Sequence, residues 1–122
     1  MQNSIIKQKS YDFALQIIKL YQLLRQTKHF EISAPLIKSA TGIGANLEEA
    51  LAAQSRRDFI AKMSIASKEA RETNYWLRLI RDSALVPGDY VEMLVADSEE
   101  LIKILTSIVK TSSANMKVET KN

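Results

Sequence analysis

A chain of 122 residues with 46% hydrophobic side chains fits one domain and can bury a core. Cysteine is absent, which excludes a disulfide framework and a thiolate metal site and fits a reducing cytosol. The start, MQNSIIKQKSYDF, has only Ile5 and Ile6 as an apolar patch, so no secretory signal is expected, and no apolar run reaches the roughly 18–20 residues of a membrane span.

The net charge of +3 is mild, but its distribution is not even. Residues 1–30 carry five Lys/Arg against Asp12, and residues 55–88 carry seven against four acids. Residues 31–54 and 89–111 are net acidic. Two readings fit this alternation: a nucleic-acid patch, or complementarity between neighbouring helices or subunits.

With three Gly and two Pro, and Pro35 and Pro87 at element boundaries, the chain reads as all-α. The first segment spans about Ser4 to Thr27, with Phe13, Ile17, Leu20 and Leu24 as its apolar stripe. The second is expected to begin at Ser33 as N-cap, with Pro35 in its first turn, and to run to about Ala53. The third begins at Ser55, where Ser55-Arg56-Arg57-Asp58 approximates a capping box, and runs to about Ser83. Leu85-Val86-Pro87-Gly88 breaks it. The fourth spans about Asp89 to Thr111, with Leu94, Leu101, Leu105 and Ile108 inward. Residues 1–111 then form an up-down-up-down antiparallel four-helix bundle, and 112–122 a polar, disordered tail.

Spacing at 100° per residue divides the third helix into faces. Phe59, Met63, Ala66, Ala70, Thr73, Leu77 and Ile80 form the core seam. Ile65, Glu69, Glu72, Trp76 and Leu79 form a second, partly apolar face: either a subunit interface or a widened core stripe. Arg57, Lys68, Arg71, Tyr75 and Arg78 form a third. On the second helix Leu36, Ala40, Ile43, Leu47 and Leu51 point inward. Gly42 and Gly44 each cost about 1 kcal/mol against alanine there, so they imply close helix approach or a kink. A lone GxG without a preceding strand or a lysine is no phosphate loop. Asn46 lies beside the seam and needs partners, because an unpaired buried amide costs about 1–3 kcal/mol. A structural network with Glu49, Glu69 and Glu72 would satisfy it; a ligand pocket is the alternative.

The patterns SATGIGANLEEA, S-R-R-D-F-I-A-K and KEARETNYWLRL closely resemble the 23S rRNA intervening-sequence proteins, over about Phe13 to Thr111. The resemblance implies a four-helix bundle, bacterial origin and a ring-like homopentamer. It supplies no catalytic residue and no cofactor. Three functions compete. One is a cytoplasmic homo-oligomeric binding or scaffold protein that contacts RNA through Arg56, Arg57, Lys68, Arg71, Arg78 and Arg81, with Tyr75 as a stacking group. Another is an accessory subunit that binds a protein partner through Asp97, Glu99 and Glu100. The third is a carboxylate metal bundle using Glu69-x-x-Glu72 and Glu49. The single histidine, His29, lies in the first connection, so neither a Glu-x-x-His ligand pair nor a Ser-His-Asp triad is available.

Overall fold

The computed structural model describes the backbone of residues 2–121 and the side chains of 3–118. Four helices account for nearly all of it: α1 (Gln2–Gln26), α2 (Phe30–Leu51), α3 (Arg56–Asp82) and α4 (Gly88–Lys121). Each helix packs against its neighbours in sequence, and α1 also packs against α4; the backbones of the diagonal pairs stay apart. Cross-helix partners run in opposite directions along every packed pair. Ser39 meets Thr73 and Glu49 meets Lys62 between α2 and α3. Arg81 meets Glu92 and Arg71 meets Thr106 between α3 and α4. Lys9 meets Glu100 and Gln16 meets Tyr90 between α1 and α4. The bundle is therefore antiparallel throughout, up-down-up-down.

The expected stripes meet at its centre. Ile17, Leu20 and Leu24 of α1, Leu36, Ile43 and Leu47 of α2, Met63, Leu77 and Ile80 of α3, and Leu94 and Leu105 of α4 are all fully buried. Each such side chain contributes about 1.5–3 kcal/mol relative to an exposed one. Five buried polar residues lie among them: Ser10, Ser33, Ser39, Thr73 and Ser98. Each hydroxyl donates to a carbonyl three or four residues back in its own helix, namely those of Lys7, Phe30, Leu36, Glu69 and Val95. This local bonding removes the penalty of burying them without requiring a cross-helix partner.

The connections explain where the helices stop. After α1 the His29 N–H bonds the Leu24 carbonyl and the Lys28 N–H bonds that of Arg25, with Lys28 at φ 65°. After α3 the Leu85 N–H bonds the Ile80 carbonyl and the Ala84 N–H bonds that of Arg81, with Ala84 at φ 55°. Both are Schellman closures with a non-glycine residue in the left-handed position. Ser55 caps α3 as expected, its Oγ accepting from the Asp58 N–H at 3.0 Å.

Two boundaries differ from the sequence expectation. α2 begins at Phe30, with His29 as N-cap, and Ser33 lies buried inside it. The first closure feeds directly into α2, since the Ser33 N–H already bonds the His29 carbonyl at 3.0 Å. Pro35 consequently sits in the second turn, where its ring withdraws the N–H that would reach the Glu31 carbonyl. At the other end, α4 does not stop near Thr111 but continues to Lys121. Residues 112–121 contain no glycine or proline to break it. Asn122, the last residue of the expected tail, lies outside the described residues.

Candidate functional site on the third helix

The core seam of α3 points inward, with Met63, Ala66, Ala70, Thr73, Leu77 and Ile80 buried. That orientation fixes the other two faces. The second face turns outward on the α2 side of the helix. Ile65 and Leu79 remain 40% and 38% exposed there. Trp76 packs partly against the core, and Tyr75 meets its ring edge-on at 5.2 Å. The Trp76 indole N–H is buried and has no hydrogen-bond partner. A buried donor left unpaired carries a desolvation cost of about 1–3 kcal/mol.

Glu69 belongs to the same face. Its Oε2 lies 2.9 Å from where a Cβ on residue 42 would sit, so the missing side chain of Gly42 makes the room it occupies. Burial pushes the Glu69 carboxyl above its ordinary value; nearby Glu72 adds to this and Lys38 opposes it. Gly42 is thus a place of close helix approach. Gly44 faces α1, with Ser10 Oγ 3.7 Å from its would-be Cβ.

The four-residue network expected from the sequence does not assemble. Asn46 Nδ2 donates to the Gly42 carbonyl of its own helix at 2.8 Å, so its amide is satisfied locally. Glu49 turns to Lys62 at 3.7 Å, and Glu72 is exposed. The polar connections inside the bundle lie elsewhere. Thr73 Oγ1 sits 2.9 Å from Ser39 Oγ. On the opposite side of α3, Arg78 Nε donates to Asn74 Oδ1, Asn74 Nδ2 donates to Ser98 Oγ, and the Ser98 hydroxyl donates to the Val95 carbonyl. Sequence reading passed over Asn74 and Ser98. The available signal was their shared place on the inward-turning flanks of α3 and α4.

The basic residues divide by environment. Arg56, Arg57, Lys68, Arg71 and Arg78 are exposed. Arg57 borders a shallow apolar groove with Ile60 and Met116. Arg71 donates to Thr106 Oγ1 at 3.1 Å. The Arg78 guanidinium lies 5.8 Å from the centre of the half-exposed Tyr75 ring. Arg81 is engaged by two carboxylates, Asp82 at 2.8 Å and Glu92 at 3.4 Å. Its hydrogen bond holds the Asp82 carboxyl below the ordinary value. Of the acids named on α4, Asp97 and Glu100 border one groove against α1, where Glu100 pairs with Lys9 and burial, aided by Glu100, raises the pKa of Asp97.

Among the described residues no group of three or more His, Cys, Asp or Glu is placed to hold a metal ion. No described helix is long and apolar enough to cross a membrane.

These features define an antiparallel four-helix bundle whose third helix carries one partly apolar and one basic outward face. The profile of the 23S rRNA-intervening sequence protein family matches residues 2–107, and the chain belongs to that family. It is similar to a crystal structure of a protein of unknown function from the S23 ribosomal protein family of Bacteroides thetaiotaomicron. The two share 44% identity at a TM-score of 0.85, over 90% of this chain and 99% of the other. Neither description names an enzymatic activity. No curated protein matches.

Proposed function

We propose that this protein is a non-enzymatic homo-oligomeric scaffold that assembles through the Ile65–Trp76–Leu79 face of α3 and presents the basic face to RNA in the cytoplasm. The observation that carries the assembly is the outward apolar face of α3, where Ile65 and Leu79 remain 40% and 38% exposed beside the half-buried Trp76. A second copy packed there would cover that apolar surface. The resemblance to ring-forming bundles makes five the expected subunit number.

Light scattering on the purified protein tests this reading. The parent is expected to run as an oligomer and Leu79→Asp as a folded monomer. Equal masses for the two would sink it.

RNA contact is supported by Arg57, Lys68, Arg71 and Arg78, exposed along one side of α3 beside Tyr75, a ring available for stacking. Arg81 contributes less, because Asp82 and Glu92 already oppose its charge. Phosphate contacts release counterions, so affinity for a single-stranded RNA should fall steeply between low and high salt. Binding that is absent at low salt, or indifferent to salt, argues against this part of the function.

A further inference from the structure

Arg71 of α3 donates to Thr106 of α4 across the outer edge of the α3/α4 seam. That contact fixes what surrounds it. Lys68 precedes Arg71 by three residues, so it lies one turn away on the same side of α3. Lys103 and Lys110 stand three residues before and four residues after Thr106, so they flank it on α4 in the same way. All four cations are exposed. Further along, α4 runs on past Thr111 and brings Lys117 level with Arg57; the two border one shallow groove of about 290 Å³ with Ile60 and Ser113. Arg57, Lys68 and Arg71 thus line one side of the seam, and Lys103, Lys110 and Lys117 the other. The α4 lysines recur about every two turns and span about 21 Å of helix.

No described carboxylate enters this stretch. On α3, Glu69 and Glu72 belong to the face turned toward α2, and Asp58 lies one turn from Lys62, which reaches Glu49 of α2. On α4, Glu100 turns to Lys9 of α1. Glu92 and Glu99 share the face of Thr106 but stand above Lys103, where Glu92 meets Arg81. Lys38 and Glu48 sit on α2, whose backbone stays apart from α4. Among the described residues neither Lys103 nor Lys110 meets a carboxylate. The seam therefore changes sign along its length: it is neutralised beside Arg81 and cationic from Arg71 to Arg57. Like charges gathered this way repel one another, and an anionic chain laid along them removes the repulsion.

We infer that a single RNA strand runs along this seam, its phosphates held between the α3 cations and Lys103, Lys110 and Lys117 of α4. This rests on the reading that the basic face of α3 meets RNA, and it adds a second wall of contacts from another helix. A strand carries one negative charge per nucleotide at regular intervals, which suits a line of point charges on two straight helices. Tyr75 stands four residues past Arg71, at the upper end of the cationic stretch, where its half-exposed ring can stack on a base.

Fluorescence anisotropy with a labelled oligouridylate tests the second wall. In the double variant Lys103→Gln/Lys110→Gln, affinity is expected to fall on the order of tenfold at low salt. The slope of log affinity against log salt should flatten by about 1.4, from two lost contacts at about 0.7 each. Lys68→Gln/Arg71→Gln should weaken binding comparably. Lys7→Gln/Lys19→Gln removes the same charge from exposed positions on α1 and should leave both quantities close to those of the parent. Glutamine forms helix about as well as lysine or arginine, so circular dichroism should match the parent throughout. If the α3 pair weakens binding and the α4 pair does not, RNA lies on α3 alone and the inference fails by itself. If the α1 pair costs as much as the α4 pair, net charge alone attracts the strand and the inference again fails. If only the α4 pair matters, or the parent does not bind the oligouridylate at low salt, the RNA reading of α3 falls together with the seam. A parent that ignores the RNA yet binds phosphatidylserine vesicles through the same lysines assigns the seam to a membrane surface and overturns both.

Discussion

A Cβ at residue 42 would come 2.9 Å from Glu69 Oε2, whereas one at residue 44 would find only an ordinary 3.7 Å contact with Ser10 Oγ. The two glycines look equivalent in sequence, two residues apart on one helix, and periodicity indicated only close approach. Which neighbour comes close depends on the rotation of α2 between α1 and α3. Gly44→Ala should therefore gain about 1 kcal/mol of stability from helix propensity. Gly42→Ala should gain less, because the Glu69 carboxyl must swing away. Urea melts of both single variants and of Gly42→Ala combined with Glu69→Ala form a cycle in which the deficit disappears once Glu69 is removed. Equal gains at both glycines would contradict this account.

Glu69 also predicts a pH effect. Its folded-state pKa lies above the ordinary 4.5, chiefly through burial, so the native chain holds this proton more tightly than the unfolded chain. The charged form then weakens the fold at neutral pH, and the weakness fades as pH drops through the raised value toward 4.5. Glu69→Gln, which carries no charge to desolvate, should melt above the parent at pH 7, with the difference shrinking steadily into the acid range. A difference that grew on acidification would reverse the assignment.

At the scale of elements, the four apolar stripes were legible because a 3.6-residue period leaves a strong trace over more than twenty residues. The Ser55 cap was legible because a serine three residues ahead of an acid is a local chemical pattern. The ends of α2 and α4 were not. Lys28 in a left-handed closure carries none of the glycine signal that usually marks one, and α4 lacks any residue that dictates its stop. The internal hydroxyls were hidden for a related reason: each satisfies itself on its own helix, so sequence shows no unmet need that would point to a partner.

The α3–α4 chain of hydrogen bonds is the exception, since it depends on two helices being in register. Ser98→Ala removes the acceptor for Asn74 Nδ2, in a site where Ser98 is fully buried. A loss of about 1 kcal/mol is expected, from leaving the half-buried Asn74 donor without its partner. The same change in an Asn74→Leu background should cost much less, because no amide remains to strand. Chemical denaturation of the four proteins decides it. An undiminished cost in the Asn74→Leu background would mean that Ser98 matters for packing alone.

For the whole molecule, the alternating charge of the four segments resolves once the order around the bundle is known. Every packed pair joins a basic helix to an acidic one, and among the described residues ion pairs cross three seams: Lys9–Glu100, Lys62–Glu49 and Arg81–Glu92. Exposed pairs of this kind contribute only about 0.2–1 kcal/mol each, so they favour one arrangement of neighbours more than they stabilise it. Part of the charge pattern is thus spent inside the subunit. What it does not cover is the apolar surface of Ile65, Leu79, Leu15 and Ile18, all exposed in a single copy. If that surface is buried on assembly, folding and association are linked, and the melting temperature must depend on protein concentration. Each tenfold rise in partner concentration adds up to about 1.4 kcal/mol of apparent stability while association is far from complete. Scans of the parent across a hundredfold concentration range should therefore shift upward, whereas Leu79→Asp should melt at one temperature throughout. A parent whose melting is equally indifferent to concentration folds without its neighbours, and the exposed stripe on α1 and face on α3 would then need another explanation.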